Sequence, residues 1–182
     1  MNYKILESNI LFSGKVFDLR VDKLKYNSGN ESVREIAVHP GGAVVVPVKT
    51  DGKLVMITQY RYPFEKYMIE FPAGKLELNE DPEKCALREL QEETGYTAGK
   101  LQRLGSIATT PGFCTELLHI FLATDLTAGK HNREEGEYGM EVKEFTFNEI
   151  EEKIKRGEIF DSKSICGFYM AGMKDKRLKE KD

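Results

Sequence analysis

The stretch that decides the fold runs from residue 74 to residue 96 and reads GKLELNEDPEKCALRELQEETGY. Asp81 is a good N-cap for a helix, and Pro82 suits the first helical position because its missing N–H has no partner there. Gly95 suits the position just after the last turn, where a left-handed backbone conformation is common. These signals predict a helix over residues 82–94 with a loop on each side.

Three glutamates of this predicted helix share one face. Glu89, Glu92 and Glu93 have i, i+3 and i+4 spacing, and like charges at that spacing repel each other. A hard divalent cation would offset the repulsion, since Mg²⁺ prefers carboxylate, water and phosphate oxygens. The alternative is a solvated acidic face, and Arg88, four residues before Glu92, agrees with it in part. Charge alone leaves both interpretations open.

The spacing of the whole stretch adds a family resemblance. Gly74 is followed by five residues, Glu80, seven residues and then the nine residues 88–96, RELQEETGY. This resembles the Nudix box, Gx₅Ex₇REUxEExGU with U a bulky apolar residue, at every specified position. Only Tyr96 departs slightly, being aromatic where an aliphatic residue is commoner. The resemblance implies a Nudix hydrolase, in which the box forms a loop–helix–loop within an α/β/α sandwich.

The box also implies roles for individual residues. Glu89, Glu92 and Glu93 would bind the metal, and the carbonyl of Ala73 would complete its ligand shell. Arg88 would belong to the catalytic set by orienting the carboxylates. The implied cofactor is Mg²⁺, with Mn²⁺ as the alternative. Such an ion neutralises the charge that builds up during pyrophosphate hydrolysis and lowers the pKa of a bound water.

A broader resemblance, to the ADP-ribose pyrophosphatases of this family, covers about residues 13–171. Its markers are VRE at 33–35, HPGGAVV at 39–45, QYR at 59–61, EFPAG at 70–74 and Pro111. It implies hydrolysis of ADP-ribose to AMP and ribose 5-phosphate. Alternative substrates are FAD or a nucleotide sugar such as GDP-mannose. A nucleotide-sensing module without turnover is the alternative of a different class.

The same resemblance implies the substrate contacts. Phe17 would stack on the adenine, with core packing as the alternative, and Arg34 would help to hold the nucleotide, with a surface charge as the alternative. The other implied substrate contacts are Arg61 at the diphosphate, Glu116 on the terminal ribose side, Glu70 and Phe113.

The catalytic base is implied to lie in the acidic loop REEGEY at 133–138. Glu135 and Glu137 are the two candidates. Glycines at positions 136 and 139 leave the register of this loop open, and a solvated acidic loop is the alternative interpretation.

The composition of the chain is evidence against several other classes of protein. The chain has 182 residues, of which 40% are hydrophobic and 31% charged, and this predicts one ordinary domain with a packed core. Its net charge of −3 is evidence against a nucleic-acid partner. No apolar run approaches the roughly 20 residues that cross a bilayer, and the N-terminus lacks the apolar segment of a secretory signal. Three widely spaced cysteines (Cys85, Cys114 and Cys166) predict a reducing compartment, so we expect a cytoplasmic protein without a membrane partner.

The order of strand-like and helix-like segments predicts an α+β protein, an α/β/α sandwich with a mixed β-sheet and flanking helices. Residues 1–40 form a strand-rich extension, which the resemblance implies is used for an intertwined homodimer and for substrate contact. Residues 41–174 would form the Nudix hydrolase domain, and residues 175–182 a charged tail. A turn at Asp51-Gly52 predicts a hairpin, and Asn148 is the expected cap of the next helix.

Overall fold

The computed structural model describes residues 2–130, 139–175 and 178. The chain divides into two compact units. The smaller unit contains residues 1–41 and 108–117, and the larger contains residues 42–107 and 118–182. The chain contains both strands and helices, and their order along the chain is that of an α+β protein, as the sequence predicts.

The strands are β1 (Tyr3–Ser13), β2 (Asp18–Tyr26), β3 (Glu31–Val38), β4 (Gly42–Pro47), β5 (Leu54–Arg61), β6 (Lys66–Glu70), β7 (Ala73–Lys75), β8 (Tyr96–Ala108), β9 (Leu117–Ala128) and β10 (Glu141–Phe145). The helices are α1 (Pro82–Thr94), α2 (Phe147–Lys155) and α3 (Ser162–Lys174), and a short 3-10 turn covers Tyr62–Phe64. None of the helices in the described part of the chain is long and apolar enough for a membrane crossing.

The smaller unit is built on an antiparallel sheet in the order β1-β2-β3. The segment 108–117 belongs to this unit although it follows β8 in the chain. The N–H of Ala37 donates to the Phe113 carbonyl at 2.8 Å, and the N–H of Thr115 donates to the Ala37 carbonyl at 3.0 Å. These bonds attach the segment to the end of β3.

The larger unit contains a mixed four-stranded sheet in the order β7-β4-β9-β8 and a second sheet in the order β10-β5-β6. In the mixed sheet β4 runs parallel to β9 and antiparallel to β7. Every residue of β4 is buried, as expected for a strand covered on both faces. Val45 packs in a core with Leu90 of α1, and Val44 packs in a separate core with Phe168 of α3. Helices therefore cover both faces of the mixed sheet.

The predicted turn at Asp51-Gly52 is present. The N–H of Gly52 donates to the Lys49 carbonyl at 3.0 Å, the N–H of Lys49 donates to the Lys53 carbonyl at 2.9 Å, and Val48 and Leu54 form an antiparallel bridge. Beyond this bridge the chain does not continue as a hairpin, because β4 and β5 belong to different sheets.

One sequence prediction about local structure was wrong. The cap of α2 is Thr146 and not Asn148. Thr146 is the cap because it forms a reciprocal capping box with Glu149, which satisfies two backbone N–H groups at once.

Candidate active site

Helix α1 begins and ends as the sequence predicts. The Asp81 carboxylate accepts a hydrogen bond from the N–H of Glu83 at 2.8 Å, and Gly95 adopts the left-handed conformation at φ 78°. The apolar side of the helix, which includes Ala86 and Leu90, is buried in the core against the mixed sheet. This packing fixes the direction in which the glutamates point.

Two of the glutamates are themselves buried. Glu89 is 6% exposed and Glu93 is 2% exposed. The Glu89 carboxylate occupies the space where a Cβ of residue 74 would lie, so a larger residue than Gly74 would force this carboxylate to move. One oxygen of Glu93 accepts a hydrogen bond from the N–H of Ala73 at 3.0 Å. Helix α1 and strand β7 therefore hold these carboxylates against the Ala73-Gly74 backbone.

The guanidinium of Arg88 connects three of the carboxylates near helix α1. Arg88 Nε donates to Glu80 at 2.9 Å, and Arg88 Nη1 donates to Glu89 at 2.7 Å and to Glu92 at 3.0 Å. The hydrogen bond from Arg88 lowers the pKa of Glu80 to about 2, and the same bond raises the pKa of Arg88. Arg88 thus lies where it can orient the carboxylates. We call this set the α1 cluster: Glu80, Arg88, Glu89, Glu92 and Glu93.

The donor chemistry of the α1 cluster fits a hard divalent cation. The cluster contains four carboxylates and one guanidinium, which pairs with three of them, so it carries a surplus of negative charge. Carboxylate oxygens are the ligands that Mg²⁺ prefers. Within residues 2–130, 139–175 and 178, no three acidic, histidine or cysteine side chains already surround one point as metal ligands. Arg88 lies between Glu89 and Glu92 instead. The assignment of metal ligands therefore stays a prediction.

A second charged cluster surrounds Glu70, at the end of β6. Arg61 donates to Glu70 through two bonds, from Nε at 2.8 Å and from Nη2 at 2.6 Å. Lys163, in the first turn of α3, also donates to Glu70 and pairs with Asp161 at 2.9 Å. We call this set the Glu70 cluster: Arg61, Glu70, Asp161 and Lys163.

Burial alone would raise the pKa of Glu70, but its bonds to Arg61 and Lys163 outweigh this effect and leave the pKa below its ordinary value. The hydrogen bond to Glu70 raises the pKa of Arg61, and the negative charge of Glu93 adds to that shift. Arg61 therefore lies within electrostatic range of the α1 cluster. The larger unit thus brings together the sequence-predicted residues Arg61, Glu70, Ala73, Arg88, Glu89, Glu92 and Glu93.

Sequence reasoning missed Lys163 and Asp161. Asp161 is the N-cap of α3, and its carboxylate accepts a hydrogen bond from the N–H of Ser164 at 3.0 Å. That cap could have been recognised from the sequence. The contact of Lys163 with Glu70 could not, because 93 residues separate the two and no local pattern connects them.

The other predicted substrate contacts belong to the smaller unit. Phe17 is 42% exposed, so it does not pack in a core of this chain. Arg34 donates to the Ser32 hydroxyl and to the Tyr26 hydroxyl, both at 2.6 Å. Phe113 is exposed, and Glu116 accepts a hydrogen bond from the Thr109 hydroxyl at 2.8 Å. Glu135 and Glu137, the predicted bases, lie outside the described residues.

A family model described as the NUDIX domain matches residues 38–168. The chain belongs to the Nudix hydrolase family. The residues of the α1 cluster all lie in its Nudix box, and the predicted family and fold are confirmed. A crystal structure titled "ADP compounds hydrolase" has the same fold, with a TM-score of 0.85 and 20% sequence identity, and the similarity covers 99% of this chain and 96% of that chain.

Several relatives are similar over most of their length. The ADP-ribose pyrophosphatase of Bacillus subtilis (strain 168) is 41% identical over 174 residues, which is 94% of this chain and 94% of that protein. The methanol dehydrogenase activator of Bacillus methanolicus is 42% identical over 164 residues, which is 89% of this chain and 88% of that protein. The GDP-mannose pyrophosphatase of Escherichia coli (strain K12) is 35% identical over 141 residues, which is 72% of this chain and 73% of that protein.

Proposed function

We propose that this Nudix hydrolase cleaves the pyrophosphate bond of ADP-ribose to AMP and ribose 5-phosphate, and that the reaction depends on Mg²⁺. The single observation that carries the proposal is the α1 cluster, in which the buried carboxylates of Glu89 and Glu93 lie against the Ala73-Gly74 backbone. The similarity to ADP-ribose pyrophosphatases over most of the chain supports this substrate.

In the proposed mechanism Glu89, Glu92 and Glu93 bind the metal, together with the carbonyl of Ala73. Bound there, the ion would neutralise charge on the phosphate oxygens and lower the pKa of a bound water. Arg88 keeps the Glu89 and Glu92 carboxylates oriented through its bonds of 2.7 and 3.0 Å.

The remaining site residues act on the substrate in this proposal. Arg61 binds the diphosphate, supported by its pairing with Glu70. Glu135 or Glu137 serves as the general base that takes a proton from the attacking water. Phe17 and Arg34 reach into the site of the partner chain in this proposal, where Phe17 stacks on the adenine and Arg34 helps to hold the nucleotide. Glu116 contacts the terminal ribose side, and Phe113 is a further substrate contact.

We also propose that residues 41–174 form the hydrolase domain, that residues 175–182 form a charged tail, and that the protein is cytoplasmic.

We further propose a homodimer that forms through residues 1–40. Every residue of β1 is exposed in the single chain, and Ile10, Leu11 and Phe12 are 51%, 66% and 59% exposed. A run of exposed apolar side chains on an edge strand favours burial against a partner. Light scattering of the wild type and of Leu11→Glu tests this: the wild type should be dimeric and the variant monomeric.

The second candidate keeps the chemistry and changes the substrate to a nucleotide sugar such as GDP-mannose, or to FAD. The similarity to GDP-mannose pyrophosphatases favours the first of these. A nucleotide-sensing module without turnover is a weaker candidate, because all the box carboxylates are present.

The decisive experiment is a substrate panel with Mg²⁺ and identification of the products. ADP-ribose, GDP-mannose and FAD are supplied at equal concentration, first singly and then in competition. The proposal expects AMP and ribose 5-phosphate from ADP-ribose at the highest kcat/KM, and loss of turnover when a chelator removes the metal. Faster cleavage of another compound would identify that compound as the substrate. If none of the compounds is cleaved, the result would support a nucleotide-sensing module without turnover. Repeating the reaction in ¹⁸O water locates the attacked phosphorus.

A further inference from the structure

We propose that Lys163 is a positioning residue of the active site, which fixes the Arg61 guanidinium through Glu70 so that its outer edge can bind the substrate diphosphate. The inference rests on the proposed function, because it takes Arg61 as the diphosphate contact.

The Glu70 carboxylate is held by cations from two different elements. Arg61, the last residue of β5, pairs with both of its oxygens, at 2.8 and 2.6 Å. Lys163 donates to Oε2, the oxygen that also accepts from Arg61 Nη2. Glu70 is only 1% exposed, so water has little access to replace a lost partner. The orientation of the carboxylate therefore depends on both cations.

Lys163 is itself anchored at the start of α3. Its ammonium donates to Asp161 at 2.9 Å, and Asp161 caps the helix through the N–H of Ser164. The Ser164 hydroxyl in turn accepts a hydrogen bond from the N–H of Phe71 at 2.9 Å. The first turn of α3 thus contacts two successive residues, the side chain of Glu70 and the backbone of Phe71. This gives Lys163 a rigid base from which to hold Glu70.

The pairing with Glu70 leaves one edge of Arg61 available. Nε and one N–H of Nη2 are used, and among residues 2–130, 139–175 and 178 no acceptor is found for Nη1. The side chain is 35% exposed. A guanidinium edge with two outward N–H groups matches two phosphate oxygens, and a small rotation of its plane would spoil that match.

Lys163 also changes the charge that an anion would meet. In the Glu70 cluster two cations face two carboxylates, because Lys163 also pairs with Asp161. Without Lys163, Glu70 and Asp161 would face Arg61 alone, and the site would become one charge more negative for an incoming anion. Removing Lys163 should weaken binding of the diphosphate in the ground state and the transition state alike, and such a loss raises KM more than it lowers kcat.

The test is a double-mutant cycle on Lys163→Met and Arg61→Ala, measured by steady-state kinetics with ADP-ribose and Mg²⁺. We expect Lys163→Met to raise KM about 10-fold with kcat changed less than about 3-fold. In the Arg61→Ala background the same substitution should change KM less than about 2-fold, because Lys163 acts through Arg61. An unchanged KM in the single variant, or an equal rise in both backgrounds, overturns the proposal.

Lys153→Met is the matched control. Lys153 lies in α2, is 20% exposed against 15% for Lys163, and pairs with Glu158 at 2.7 Å. It should leave KM unchanged even if the thermal midpoint falls. An equal rise in KM for this control would mean that any lost ion pair loosens the site, and would overturn the assignment. Lys163→Arg keeps a charged donor and should restore a large part of the wild-type KM.

Folding of each variant is checked by circular dichroism. If Lys163→Met does not fold, Lys163→Gln, which keeps a hydrogen-bond donor without the charge, takes its place in the cycle. If the wild type leaves ADP-ribose intact, the proposed substrate fails, and the cycle is measured with whichever nucleoside diphosphate derivative the panel shows to be cleaved. If none is cleaved, calorimetric binding of ADP-ribose replaces KM, with the same expected pattern.

Discussion

Two charged clusters of the larger unit use the same kinds of side chain in different proportions. In the α1 cluster a single guanidinium, that of Arg88, bonds to three carboxylates, and a fourth, that of Glu93, lies buried on the same helix. In the Glu70 cluster two cations face two carboxylates, and both cations bond to the buried Glu70. The first cluster therefore has negative charge to spare, whereas the second presents the edge of a cation.

This difference in charge indicates which part of a substrate each cluster can bind. A surplus of carboxylate oxygens suits a divalent cation, and a fixed guanidinium edge suits a phosphate oxygen. A metal-bound diphosphate has both kinds of group. We therefore expect the two clusters to respond differently to mutation, and the following changes separate them.

The largest expected effect is on turnover, from Glu93→Gln in the α1 cluster. Glutamine keeps an oxygen that can accept the bond from the Ala73 N–H, now 3.0 Å from Glu93, but it removes the charge. We expect kcat to fall by about 10³-fold with the fold retained, because the metal loses a charged ligand. Glu152→Gln, on the exposed side of α2, is the control and should keep full activity. Near-normal turnover in Glu93→Gln would exclude Glu93 from the metal site.

The next change, Gly74→Ala, disturbs the same cluster by shape and leaves its charge intact. The added Cβ would overlap the Glu89 carboxylate, which must then move. We expect kcat/KM to fall by about 10²-fold, since small displacements of catalytic groups are costly, and Mn²⁺ binding followed by electron paramagnetic resonance to weaken. Gly112→Ala is the control, because its Cβ would meet no atom within 4 Å. If both variants behave alike, the close fit of Gly74 to Glu89 is unimportant.

Glu70→Gln tests the second cluster through stability. It leaves Arg61 and Lys163 facing a neutral amide, so two cations lose the carboxylate that they share. We expect the free energy of unfolding, measured in urea, to fall by about 3 kcal/mol. Glu144→Gln is the comparison, because Glu144 forms a half-exposed pair with Lys49 at 2.7 Å and should cost less than about 1 kcal/mol. Equal losses would show that burial adds nothing to the Glu70 cluster.

The smallest expected effect is a pH dependence that belongs to Glu80. Its pKa is lowered from 4.5 to about 2 by Arg88, so the folded state favours the ionised form. The stabilisation is therefore fully present above pH 4.5 and is lost as the pH falls through 2. We expect the unfolding free energy of the wild type to fall more steeply than that of Glu80→Gln as the pH falls through this window. Parallel pH profiles for the two proteins would contradict the pairing.

The amino-acid sequence determined the parts of this protein that depend on neighbours in the chain. Asp81, Pro82 and Gly95 specify α1 because capping and turn conformation act over a few residues, and the predicted bounds of that helix agree with the structure. The spacing of Glu89, Glu92 and Glu93 follows from helix geometry in the same way. The box was sufficient to predict the family and the fold.

Only the tertiary structure decided the contacts between distant segments. It places Lys163 on Glu70, the Glu89 carboxylate in the space beside Gly74, β9 rather than β5 next to β4, and residues 108–117 in the smaller unit. Such contacts depend on how elements pack once they have formed, and packing selects partners by shape and burial over the whole core. A local pattern carries no record of that selection, so nothing in the sequence indicated Lys163, whereas Arg61 and Glu70 were named because the family resemblance implied them.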